Sequence, residues 1–158
     1  MKLISKVEKV KDAESVAKLI LFFAVYWFIN LGVHEMGHYY AADFLGHKAS
    51  AHFALTHAWT NIPFTFGTID ALIIGLSGGM FAFTIWLVLS WLTTSYLRDV
   101  ALGFFCVYNL IYGIFEGLWA YGWVEFKALQ IVPVIIASIV FIWAIYVNPD
   151  FHFFGRKG

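Results

Sequence analysis

The placement of basic residues restricts this chain more than any other feature. No lysine or arginine stands between Lys18 and Lys48, between Lys48 and Arg98, or between Arg98 and Lys127. Gaps of that length match membrane crossings with their connections. Four spans are predicted, at 19–45, 69–97, 100–121 and 128–147. Composition agrees: the chain is 61% hydrophobic and only 13% charged, and a soluble protein of 158 residues cannot hide so much apolar surface. The expected fold class is an all-α integral membrane protein with about four transmembrane helices. The first two spans exceed the ~20 residues of a flat crossing, so a tilt, a break or a projecting end is expected.

Residues 1–17 alternate charge with Leu3, Ile4, Val7, Val10 and Val16, the pattern of an amphipathic segment lying on the lipid bilayer. Residues 18–158 then form one membrane-embedded domain. The first apolar run is not read as a signal peptide, because cleavage would sever the motif it leads into. Residues 47–68 combine β-branched and aromatic residues with an Asn61-Ile62-Pro63 turn signal. They are expected to form a short β-hairpin or extended strand at the membrane surface. Gly75, Ser77, Gly78 and Gly79 permit close helix approach or a helix break. Arg98-Asp99 is read as a tight polar turn. The zero formal net charge gives no footprint for nucleic acid. The single cysteine, Cys106, excludes an internal disulfide and a cysteine-based zinc site.

The first span runs into "HEMGH", His34 to His38. Residues four apart share a helix face, so His34 and His38 can reach one ion and Glu35 can touch a water beside it. Ionisable groups in hydrocarbon need a compensating partner. Neutral imidazoles suit zinc, whose catalytic sites take three protein ligands. Of the acids that could complete the set, only Glu116 lies well inside a span; Asp70 and Glu125 are the alternatives. His38 stands about 12 Å before Gly46 and Glu116 about 9 Å before Gly122, at a rise of ~1.5 Å per residue. Four spans make the first and third parallel, so the two groups meet at similar depth. Asn109 shares a helix face with Glu116, and Asn30 shares one with His34 and His38. Interhelical hydrogen bonding is one reading of both asparagines. His47, His52 and His57 are read as surface or interface histidines.

These residues carry a resemblance to the site-2 protease family of intramembrane zinc metalloproteases. "HEMGHYYAADFLGHKA" resembles its metal-binding helix, "GLSGGMF" its glycine motif, and "NLIYGIFEG" its third-ligand motif; the likeness covers roughly residues 28–120. The chain departs from the family pattern at the last of these. Glu116 stands where the family has aspartate, the usual proline is absent, and the step from Asn109 is seven residues rather than eight. A step of seven keeps both side chains on one face of an unbroken helix, where eight would rotate the acid by ~100°.

The resemblance implies a zinc metalloendopeptidase acting on a transmembrane protein substrate. Its metal ligands would be His34, His38 and Glu116, with Glu35 as general base. Asn109 is expected to steady the developing oxyanion, and the 49–56 edge to hold the substrate extended. A non-proteolytic zinc-binding membrane protein (chaperone, sensor or transporter) would keep the ligands without needing Glu35. Orientation divides the expectations. Eight lysines and arginines fall on the N-terminal side and two on the other, so the charge rule puts the active-site end outside. The resemblance puts it nearer the cytosol. Labelling a cysteine placed at Lys48 from each side of the membrane separates the two.

Overall fold

The computed structural model describes residues 13–54, 57–63, 65–93 and 96–147. The expected surface segment lies outside these up to residue 12; residues 13–17 belong to the first helix. That helix, α1 (Ala13–Phe44), is followed by β1 (Ser50–Phe53) and β2 (Ala58–Asn61). Then come α2 (Ile69–Leu92), α3 (Tyr96–Ala120) and α4 (Phe126–Val147). All four helices are long and apolar enough to cross a membrane. Large apolar side chains such as Ile20, Leu21, Phe28, Trp91, Ile139 and Trp143 stand exposed around the bundle. Lipid is the medium such a surface requires.

α1 runs unbroken for 32 residues, or about 48 Å at 1.5 Å per residue, longer than the ~30 Å hydrocarbon layer. It ends at Gly46, whose φ is 80°. The His47 amide donates to the Ala42 carbonyl at 2.9 Å and the Gly46 amide to that of Asp43 at 3.0 Å. α3 closes in the same way at Gly122 (φ 90°), with Trp123 to Leu118 and Gly122 to Trp119, both 2.8 Å. These paired bonds satisfy carbonyls that a helix end leaves orphaned, and the left-handed turn they require suits glycine. Both helices thus stop at the glycines expected from the sequence.

The hairpin between α1 and α2 is antiparallel, pairing Ser50 with Asn61, Ala51 with Thr60, His52 with Trp59 and Phe53 with Ala58. The Ala54 amide closes it on the His57 carbonyl at 2.9 Å. Counting from that bonded pair, Trp59 and Asn61 aim their backbone groups at β1. Ala58 and Thr60 aim theirs at the opposite, unpaired edge.

α2 is the central plate, packed against α1 on one side and α3 on the other. Glycine makes this possible. A Cβ on Gly79 would collide with Gly113 of α3, one on Gly75 would lie 2.9 Å from the Glu116 carbonyl, and one on Gly37 would lie 2.8 Å from Gly78. The glycine run therefore brings backbones together and does not break the helix. Arg98 and Asp99 do not form a turn: both sit in the first turns of α3. An acid is favoured there by the helix dipole, and the buried Asp99 carboxylate accepts a 2.6 Å hydrogen bond from Ser90 of α2.

Candidate metal centre and cleft

The close approach of α1, α2 and α3 produces one ionic cluster. His34 Nε2 lies 2.8 Å from Glu116 Oε2, His38 Nε2 lies 3.3 Å from the same oxygen, and the two Nε2 atoms are 3.1 Å apart. Both histidines are buried, and the Glu116 side chain is 15% exposed. Gly78 forms the floor, since a Cβ there would overlap both imidazoles. His38 Nδ1 is 2.6 Å from the Ile74 carbonyl. That acceptor places the proton on Nδ1 and leaves a lone pair on Nε2, facing Glu116.

The donor set fits a cation. Tetrahedral zinc with ligands at about 2.0–2.1 Å keeps them about 3.3–3.4 Å apart, within reach of the separations here. A carboxylate removed from water must be neutralised by a proton or a cation. Among the described residues, no lysine or arginine pairs with Glu116. The alternative acids are elsewhere. Asp70 holds His47, Oδ2 to Nε2 2.9 Å. Glu125 is exposed, and its carbonyl accepts the first amides of α4 from Ala128 and Leu129.

Glu35 stands beside the cluster. His34, Glu35 and His38 offer ligand atoms all within 4.8 Å of one another, but Glu116 is closer to both imidazoles and Glu35 is held from another direction. The Thr60 hydroxyl of β2 lies 2.8 Å from the Glu35 carboxylate and 3.1 Å from its backbone carbonyl. A cleft of about 340 Å³ opens over these groups. Its walls include Glu35, His38 and Glu116, residues 58–60 of β2 and Ile62 just beyond it, and Tyr112, Trp119 and Leu129. The unpaired edge of the hairpin, β2, borders this space. The described residues of the 49–56 stretch expected to hold substrate do not line it, because β1 lies on the far side of β2.

Asn109 is also displaced from its expected role. Its amide donates to Asn30 Oδ1 at 2.7 Å and to the Phe105 carbonyl at 2.7 Å. Trp86 Nε1 donates to the same Asn30 oxygen at 2.6 Å. Asn109 is fully buried and is not part of the cleft wall. The asparagines follow the interhelical reading: they tie α1, α2 and α3 together one turn from His34.

Of the other histidines, His52 and His57 are exposed, as expected, and His47 is half-buried against Asp70. His52 and His57 each stack on Trp59, with centroids 5.1 Å away in both cases. Thr60 and Tyr112 also line the cleft. Thr60 carried a signal only in the alternation of the hairpin, and Tyr112 was one aromatic among many.

Compared with known protein families, curated proteins and solved structures, the chain matches none of them.

Proposed function

We propose that this chain is a membrane-embedded zinc endopeptidase that cuts a peptide bond in or near a transmembrane segment of another membrane protein. One observation carries the reading. The donor triangle of His34, His38 and Glu116 has a second carboxylate, Glu35, beside it, at a cleft bordered by an unpaired strand edge. Three protein donors are the usual complement of a catalytic zinc site. Zinc bound there would supply Lewis-acid polarisation of a carbonyl and a water acidic near neutral pH.

The remaining work falls to the protein. Glu35 accepts the proton of the attacking water and returns it to the departing amine. Thr60 holds the Glu35 carboxylate toward the strand edge, so base and substrate backbone share one reference. A helix buries its amides in its own hydrogen bonds, so a transmembrane substrate must unwind locally before cleavage. The Ala58 and Thr60 backbone groups on the free edge of β2 suit an extended peptide added as a further strand.

The test is Glu35→Gln in the full chain, purified in lipid and loaded with zinc. The variant should keep one zinc per chain and lose about 10²–10⁴ of the cleavage rate on a transmembrane reporter. Wild-type cleavage by Glu35→Gln overturns the general-base role. A wild-type chain that binds zinc stoichiometrically yet cuts no peptide bond is a non-proteolytic zinc protein, and the peptidase reading is then wrong.

A further inference from the structure

Attack on a peptide carbonyl develops negative charge on its oxygen, and a donor already aimed at that oxygen is worth about 10²–10³ in rate. Asn109 spends its amide on Asn30 and Phe105, away from the cleft. The donors that do line the cleft are few. His38 spends Nδ1–H on the Ile74 carbonyl, and Thr60 spends its hydroxyl on Glu35. Trp59 stacks its ring on His52 and His57, and Trp119 packs on Phe66 and Phe126; these ring contacts leave the indole N–H groups unspent. Among the hydroxyl and imidazole donors of the cleft, Tyr112 is the one left.

Three observations favour it. Tyr112 precedes Glu116 by one helical turn, so both lie on the same face of α3, and both line the cleft. Its ring is held between two neighbours, edge-to-face on His34 at 5.3 Å and tilted on Tyr108 at 5.4 Å. Its hydroxyl makes no hydrogen bond among the described residues. Nor is that hydroxyl fully buried: among the described residues, the fully buried side-chain polar atom without a partner is Asn109 Oδ1.

We infer that the Tyr112 phenol is a catalytic residue, the hydrogen-bond donor that meets the substrate's carbonyl oxygen. The inference rests on the peptidase reading. As the water oxygen bonds to the carbonyl carbon, the C=O π pair moves onto the oxygen, which accepts the Tyr112 O–H as a hydrogen bond. The water's proton goes to Glu35. When the C–N bond breaks, the amine takes that proton, the carbonyl re-forms, and Tyr112 keeps its own proton throughout.

The experiment compares wild type with Tyr112→Phe, each zinc-loaded and in lipid, using a reporter peptide and its phosphinic analogue, whose tetrahedral oxygens mimic the charged intermediate. Four quantities are read: zinc per chain, kcat, KM, and the Kd of the phosphinic peptide by calorimetry. The expected result is unchanged zinc and KM, with kcat and phosphinic affinity both lower by about 10²–10³. A purely structural role would instead lower zinc content or raise KM. That outcome overturns the inference, as does a Phe variant matching wild type in kcat and phosphinic Kd. If wild type neither cleaves the reporter nor binds the phosphinic peptide, the peptidase reading itself fails and this assignment falls with it.

Discussion

Gly78→Ala isolates the role of α2 in assembling the cluster. The added Cβ would lie 2.8 Å from His34 Nε2 and closer still to the His38 ring. Ordinary contact begins near 3.4 Å, so the His34 ring must retreat by about 0.6 Å and the His38 ring by more. A bound metal tolerates about 0.2 Å in its ligand distances. The rings cannot retreat freely, since His38 is tied to Ile74 and the His34 ring abuts Tyr112. Zinc affinity should therefore fall at least about tenfold, or about 1.4 kcal/mol. Competition against a chromogenic chelator measures it on protein in lipid. Gly79→Ala is the matched control: its Cβ collides with Gly113 of α3, not with the imidazoles. It should lower thermal stability more than it lowers zinc affinity. Wild-type zinc affinity in Gly78→Ala would refute the claim that this glycine makes room for the donors.

Glu116→Gln and His34→Ala should each abolish stoichiometric zinc by elemental analysis, while Asp70→Asn and Glu125→Gln keep it, because the last two acids point elsewhere. Thr60→Val should leave zinc unchanged and lower kcat roughly ten- to a hundredfold through the loss of one hydrogen bond of about 1.5–3 kcal/mol to a charged group, with Thr60→Ser restoring most of it. Asn30→Ala orphans the Trp86 and Asn109 donors. It should lower unfolding free energy in detergent by about 1–3 kcal/mol.

The membrane spans were legible because they rest on composition over twenty or more residues, which no single contact can override. Gly46 and Gly122 were legible for a similar reason, since a left-handed helix stop suits few residues. His34, His38 and Glu116 converge because depth along parallel helices follows from rise per residue alone. Rotation and lateral packing are harder to read. Asn109 shares its helix face with Glu116, yet a partner at Asn30 takes its amide before the cleft is reached. Arg98 and Asp99 looked like turn residues by polarity, but an N-terminal helical turn accepts an acid equally well. β2, not the expected β1, lines the cleft, because alternation marks a strand without saying which of its edges stays unpaired.

The two polar rungs between α1 and α3 differ in donor balance, and the proposed function puts a cation in only one of them. In the rung of Asn30 and Asn109, amide donors from Asn109 and Trp86 meet the Asn30 oxygen, so hydrogen bonds alone nearly balance its charges. One turn further along α1, the rung of His34, His38 and Glu116 brings two imidazole nitrogens and a carboxylate oxygen within 3.3 Å of one another. His38 has already committed its proton to Ile74. That rung therefore holds more lone pairs than donors, and it is the one that opens on the cleft. Replacing Glu116 and His38 together by glutamine and asparagine would restore the donor balance. The double variant should fold without zinc and resist chelators, whereas wild type should lose stability when its metal is stripped. Equal thermal stability of wild type with and without chelator would mean that the rung of His34, His38 and Glu116 is balanced by protons alone.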